Sequence, residues 1–284
     1  MHRLGRAIAI TLVIVACASR AGAQLVAGPE PIIYGHHHLN VTSLEMHKKF
    51  WVDTLGGTLV KLPNDVEIVK FAGVLVFMRA QAPTGGTKGT TVNHVGFTVT
   101  NLRQVLDKVK ANGFRIVTKA EAAPTVTIVD DIVQISGGAV SGGAYVMAPD
   151  DVKVELLEIK NQAAPVMLHH VHFFQPQNKE MQAWYVKIFG AKPRTGAFLA
   201  ADLPGVVLNF SESPDPVVGT KGRALDHIGF EVRHLEEFCK KLEAQGITFD
   251  VPYRKVPALN VAIAFITDPW GTSIELTEGL DKIS

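Results

Sequence analysis

Asp226-His227-Ile228-Gly229-Phe230-Glu231-Val232 reads as a strand with two unlike faces. Successive strand side chains point to opposite sides of a sheet, so Ile228, Phe230 and Val232 share one face and His227, Gly229 and Glu231 the other. Three other segments open in the same way, at His38-Leu-Asn-Val, His94-Val-Gly-Phe and His170-Val-His-Phe. Each continues into an amphipathic stretch, a glycine and further strand-like runs. The glycines are Gly56, Gly113, Gly190 and Gly246, which lie 18, 19, 20 and 19 residues after their histidines. Glycine at that place suits the left-handed residue that closes a helix. Val105, Leu106 and Val109, and again Leu235, Phe238 and Leu242, recur at helical spacing between histidine and glycine. The chain therefore reads as four βαβββ modules.

A longer period overlies the short one. His38 and His170 are 132 residues apart, and His94 and His227 are 133 apart. This predicts a pair of modules over residues 34–160 and a second pair over 166–279, joined by Lys160-Asn-Gln-Ala-Ala-Pro165. The second and fourth modules also end alike, with Pro149 six residues before Glu155 and Pro269 six before Glu275. The expected fold is α+β: four βαβββ modules paired into two domains, with curled mixed sheets around a cavity. Alternation puts Val95, Phe97 and Val99 opposite His94, and Ile274 and Leu276 opposite Glu275; Val154 and Leu156 likewise oppose Glu155. The apolar faces should pack beneath the helices, leaving the His and Glu faces to line the cavity.

The 284 residues suffice for a sizeable core, and 47% hydrophobic with 19% charged residues excludes a disordered chain. With 28 basic and 27 acidic residues the net charge is +1, which leaves no basic excess for gripping a nucleic acid. Met1–Arg6 is basic, the run from Ala7 to Ala16 is apolar, and Ala21-Gly22-Ala23 supplies small residues before Gln24. That order predicts a secretory signal peptide over residues 1–23 and a secreted or periplasmic protein, the apolar run being too short for a bilayer span. Ile14-Val15-Ala16-Cys17 also fits a lipid-attachment box, a second route for the same leader. Cleavage after Ala23 removes Arg3, Arg6 and Arg20 and no acid, shifting the net charge to −2. It leaves Cys239 alone at an apolar helical position, which reads as a buried, inert thiol rather than a nucleophile.

Taken together, the repeat, the His-headed strands and the ending Asp268-Pro269-x-Gly271-x-x-x-Glu275-Leu276 resemble the vicinal oxygen chelate superfamily over nearly all of residues 34–279. Glyoxalase I, extradiol ring-cleaving dioxygenases and bleomycin-resistance proteins belong to it. The resemblance implies a divalent metal held by histidines from the opening strands and a glutamate from the last strand of each pair. Carried over, this gives His38, His94 and Glu155 in the first pair, and His170, His227 and Glu275 in the second. Two imidazoles and a carboxylate suit Fe(II) or Mn(II), with Zn(II) or Ni(II) as alternatives. Glyoxalase I uses a fourth ligand from the last strand of the first module; no acid lies in that register here, Asn209 being nearest. The dioxygenases carry a tyrosine ten residues before the ligand glutamate, and Tyr145 reproduces that spacing to Glu155, whereas Phe265 stands at the matching place in the second pair. Tyr145 is thus the candidate catalytic residue, able to give a hydrogen bond to a substrate oxygen.

Some alternatives stay open within the strands. His36 and His38 share a face, as do His170 and His172, so either member of each pair can be the inward one. His47 and His234, on or before helices, read as solvated. The functional expectation is a secreted, mononuclear metal-dependent enzyme acting on a small molecule with adjacent oxygens, an extradiol-like ring-cleaving dioxygenase before a glyoxalase-type lyase or isomerase. A metal-free binding protein of the bleomycin-resistance kind is the alternative from another class. The sequence carries no signal for oligomeric state. For the exported protein, N-terminal sequencing is expected to begin at Gln24; a chain that retains Cys17 with an attached lipid would show the other processing route.

Overall fold

The computed structural model describes residues 31–63, 66–194, 196 and 198–283; the expected leader, with Cys17 and the expected cleavage site, lies outside them. Module 1 contains β1 (Ile32–Val41), α1 (Leu44–Lys48, continued by a π-helical turn at Lys49–Thr54), β2 (Thr58–Lys61), β3 (Glu67–Phe71) and β4 (Val74–Ala80). Module 2 contains β5 (Val92–Val99), α2 (Leu102–Ala111), β6 (Arg115–Ile116), the short α3 (Thr118–Glu121), β7 (Ile128–Val129), β8 (Ile132–Gln134), β9 (Gly142–Ala148) and β10 (Val152–Glu158). Module 3 contains β11 (Val166–Phe174), α4 (Asn178–Phe189), β12 (Lys192–Pro193), β13 (Ala200–Leu203) and β14 (Val206–Ser211). Module 4 contains β15 (Leu225–Val232), α5 (Leu235–Ala244), β16 (Phe249–Val256), β17 (Val261–Thr267) and β18 (Ser273–Glu278).

Local chemistry sets these boundaries. Asn101 caps α2, its side-chain oxygen accepting from the Gln104 amide at 3.0 Å, a bond type worth about 1 kcal/mol. All four helix-closing glycines have positive φ, between 70° and 85°, which a residue without Cβ adopts at no steric cost. Leu102, Leu106 and Val109 of α2 and Leu235, Cys239 and Leu242 of α5 are buried in the common core that also takes the apolar faces of β5 and β15. Cys239 is a buried free thiol whose pKa burial pushes up to about 11. No helix among the described residues is long and apolar enough to cross a membrane.

The expected α+β architecture of four modules and two mixed sheets is present, but the modules pair differently. One sheet runs β16-β17-β18-β15-β1-β4-β3-β2 and joins module 4 to module 1. The other runs β12-β13-β14-β11-β5-β10-β9-β8-β7 and joins module 3 to module 2. The joints are antiparallel, β1 with β15 and β11 with β5. Each half of the sequence is nevertheless held together by its apolar faces. Trp51 of module 1 packs on Phe97 of module 2 at 6.0 Å between ring centroids, and Phe189 of module 3 on Phe230 of module 4 at 4.5 Å. The 132-residue period groups the chain into two similar stretches of sequence, 34–160 and 166–279. It carries no information about which module supplies the hydrogen-bonded neighbour, because every opening strand presents the same pattern.

A second correction concerns His47, which is fully buried rather than solvated. Its Nδ1 accepts from the Trp51 indole at 3.2 Å and its Nε2 lies 3.0 Å from Asp150, a residue 103 positions away that also accepts from Thr42. This contact ties α1 of module 1 to the turn before β10 of module 2. His234 is exposed, as expected.

Because the sheets cross the halves, residues 31–160 alone would leave the joint edges of β1 and β5 unpaired, a template for self-association. Expressed alone, that half should elute as an oligomer or precipitate, and co-expression with 161–284 should restore a soluble one-to-one complex by light scattering. A stable folded monomer of either half is the contrary result.

Candidate metal centres

Each joint builds a cluster of donors from two strands of one module and one strand of another. At the β5–β11 joint, His94 of β5, Glu155 of β10 and His170 and His172 of β11 point to one place. At the β1–β15 joint, His36 of β1, His227 of β15 and Glu275 of β18 do the same. Five of the six residues assigned by resemblance therefore fall in these candidate clusters, but in other company. His170 joins His94 and Glu155, not His227; His36 takes the place assigned to His38.

Bulges determine which histidine turns inward. Tyr34 is a core residue packed on Phe230, yet His36, two positions on, faces Glu275 on the opposite side. Regular alternation forbids this, and the register indeed slips between Tyr34 and His36, as it does between Leu168 and His170. A second slip at each joint leaves Asp226 of β15 and Asn93 of β5 without a cross-strand partner. Those side chains hold the adjacent ligand rings: Asp226 Oδ1 is 2.7 Å from His227 Nδ1, and Asn93 Oδ1 is 2.9 Å from His94 Nδ1.

The glycines in His94-Val-Gly-Phe and His227-Ile-Gly-Phe complete the clusters. Gly96 lies across from His170, and Gly229 across from His36. A Cβ on Gly96 would stand 2.0 Å from His170 Cε1, and one on Gly229 2.0 Å from His36 Cε1. The imidazole of one module occupies the side-chain space of the other's glycine. The sequence signal was present as a small residue two positions after each histidine, although its meaning needs the cross-module partner.

The donors suit a cation. His94 Nε2 and His170 Nε2 each lie 3.0 Å from Glu155 Oε2. In the second cluster, His36 Nε2 is 2.9 Å and His227 Nε2 3.0 Å from Glu275 Oε2. Ligands about 2.1 Å from one ion and at right angles are about 3.0 Å apart. His170 Nε2 is buried and faces the cluster, where its 3.0 Å contact with Glu155 lacks regular hydrogen-bond geometry and no other partner reaches it. Burial opposes the charge of Glu155, but His170 and His94 hold its carboxyl well below the usual range; His227 and His36 do the same for Glu275. Both carboxylates are thus anionic donors at neutral pH.

The two centres differ in their surroundings. Tyr145 lies across the strand pair from Glu155, with its ring edge-on to His94 at 5.6 Å and Lys153 Nζ 4.9 Å from its centroid. Burial and the Glu155 charge raise its pKa, so the phenol keeps its proton. Phe265 takes that place beside Glu275. Burial lowers His94 to about 4, whereas His227 is raised, because its neighbours are the carboxylates of Asp226 and Glu275 and outweigh burial. An amide in one centre and a carboxylate in the other thus set opposite protonation tendencies.

Gly96→Ala should displace the His170 ring and remove about one equivalent of bound divalent metal, with far-UV circular dichroism unchanged. Gly229→Ala should do so at the other centre, and the double variant should lose both. Full metal retention in the double variant would show that the cradles are dispensable.

No curated protein sequence matches the chain. Among solved structures, glyoxalase I from Zea mays is similar over 88% of this chain and 94% of that one, with a TM-score of 0.67 and 15% identity. A candidate dioxygenase from Bacillus subtilis is similar over 87% and 84%, with a TM-score of 0.60 and 13% identity. At these identities the likeness is one of fold. The family model described as the Glyoxalase/Bleomycin resistance protein/Dioxygenase superfamily matches residues 33–156 and 167–276. The chain belongs to that superfamily, the vicinal oxygen chelate proteins.

Proposed function

We propose that the chain is a metal-dependent enzyme acting on a small molecule that presents two adjacent oxygens, with its reactive centre at the β5–β11 joint. The observation that carries this reading is the placement of Tyr145, a protonated phenol, against the anionic Glu155 inside a buried donor set. His94, Glu155 and His170 would hold the ion here, and His36, His227 and Glu275 at the other joint. A divalent ion bound there would polarise the substrate's adjacent oxygens as a Lewis acid and fix their orientation. The rest is supplied by the chain. Tyr145 donates a hydrogen bond to a substrate oxygen as negative charge develops on it. Asn93 and His169 hold the rings of His94 and His170 through their Nδ1 atoms, at 2.9 and 2.8 Å. Lys153, itself paired with Glu121 at 3.0 Å, covers the face of the Tyr145 ring.

Two reactions of the superfamily are compatible with this centre, and each has an observation in its favour. Extradiol-like ring cleavage, which uses molecular oxygen, is favoured by the Tyr145–Glu155 register. Glyoxalase-type isomerisation, which exchanges protons only, is favoured by the extra inward imidazole of His172. The mature protein is proposed to act outside the cytoplasm, on the evidence of the leader in the sequence.

The protein, loaded anaerobically with Fe(II), Mn(II), Zn(II) or Ni(II), should turn over either catechols with oxygen uptake or thiohemiacetals of 2-oxoaldehydes without it. Tyr145→Phe should lower kcat by about 100-fold, the low end of what a positioned proton donor contributes, while Phe265→Tyr leaves it unchanged. Less than about a tenth of an equivalent of metal under every loading condition would sink the enzyme reading and leave a metal-free binding protein.

A further inference from the structure

The two centres share one design but not one donor count, and the difference lies in a single pair of histidines. His172 is two residues after His170 on β11, and His38 two after His36 on β1; both stand opposite the histidine of the joined strand, His94 and His227 respectively. Strand alternation therefore turns all four rings toward the concave faces. What happens to them next depends on the neighbouring parallel strand.

On β14, Ser211 places its hydroxyl oxygen 2.8 Å from His172 Nε2. With that nitrogen engaged, Nδ1 faces inward, 3.2 Å from His94 Nε2, and falls within the donor group, whose atoms all lie within 4.8 Å of one another. Asn209, the nearest candidate for a fourth donor on β14, is the direct cross-strand neighbour of His172. At the other joint the residue matching Ser211 is Arg79, which pairs with Asn40 two residues beyond the Phe77–His38 pair; Ser211 likewise pairs two residues beyond Asn209–His172. The Arg79 guanidinium bonds Asn40 Oδ1, at 3.0 and 2.7 Å, and His38 Nε2 has no hydrogen-bond partner to match the Ser211 hydroxyl. That ring instead lies nearly parallel to Phe77, at 14° and 5.9 Å between centroids, with Nε2 unpartnered and outside the donor group.

We propose that His172 is a fourth protein ligand at the β5–β11 centre, which thus grips its ion with three imidazoles and one carboxylate, while the β1–β15 centre offers two imidazoles and one carboxylate. This rests on the reading that the centres bind divalent metal. Two consequences are specific to this chain. Imidazole-rich sites suit Zn(II), Ni(II) and Co(II), and sites with a larger carboxylate share suit Mn(II), so the two centres select different ions. A six-coordinate ion with four protein ligands keeps two positions, enough for the adjacent oxygens of a substrate and none for dioxygen. The substrate class at this centre is then a molecule isomerised or cleaved by proton transfer alone, such as a 2-hydroxycarbonyl or thiohemiacetal.

The test uses the full-length mature protein with Co(II) as the probe. In a His227→Ala background, which silences the second centre, one equivalent of Co(II) should bind with a defined visible spectrum. Adding His172→Ala should weaken binding by at least about 10-fold in a chelator competition and shift the visible bands; adding Ser211→Ala should weaken it by a smaller factor. In the reciprocal His94→Ala background, His38→Ala should change neither affinity nor spectrum. A measurement that requires no change at His172 is pulsed paramagnetic resonance of Cu(II) in the His227→Ala protein, which should count three coordinated imidazoles. Two imidazoles, or affinity within about twofold and an unaltered spectrum in His172→Ala, would overturn the proposal and leave the metal reading intact. Absence of Co(II) binding in the unsubstituted protein would overturn both.

Discussion

The antiparallel joint between β1 and β15, with its copy between β5 and β11, is the contact on which the structure depends. Backbone hydrogen bonds there bring a histidine of one module against a glycine of another, and the clusters form only because the two sequences are complementary at that crossing. Moving either joint by one residue would turn the imidazoles of His36 and His170 into the apolar core and expose Tyr34 and Leu168. The bulges before these histidines let a core-facing aromatic or aliphatic residue and a metal donor sit two residues apart on one strand. Register, bulge and glycine are therefore one device, used twice.

The two centres show how an identical backbone can be given different chemistry by its neighbours. Asn93 and Asp226 occupy the same bulged position, and one offers a neutral oxygen where the other offers charge. Tyr145 and Phe265 occupy the same cross-strand position, and only the first carries a proton. Ser211 and Arg79 occupy the same place on the parallel strand, and only the first reaches an imidazole. Each difference is a single side chain beside a ligand rather than a ligand itself.

Much of this was legible in the sequence. The four-module plan, the helices with their closing glycines, the segregation of Ile228 and Phe230 from His227, and the inward Glu155 and Glu275 all follow from short-range periodicity, which depends only on backbone geometry. What was not legible depends on long-range contacts. The partner of His36 is Gly229, 193 residues away, and four near-identical opening strands do not say which of them meet. The choice between His36 and His38 turns on a bulge at Gly35 that is satisfied only by β15. His47 read as a surface residue because Asp150 and the module boundary that bury it are remote in the chain. His37, one residue along from a donor, enters the core at the position of Val171 and is held there by the Tyr34 hydroxyl at 2.6 Å, a local substitution with no periodic signal.

The crossed pairing also orders the chain in time. The β5–β11 sheet is made from one continuous stretch, residues 92–211, whereas the β1–β15 sheet needs its first strand and its last. One sheet is nested inside the other, as an inner bracket within an outer pair. During synthesis the inner sheet, with all four residues of its cluster, is complete once β14 has emerged. β1, paired on one side with β4, meanwhile keeps its other edge open until module 4 follows, and closing that longer loop costs more chain entropy. The outer centre is therefore the last part of the molecule to exist, and a chain stopped short of Glu275 can hold a finished inner centre beside an outer one that lacks its carboxylate.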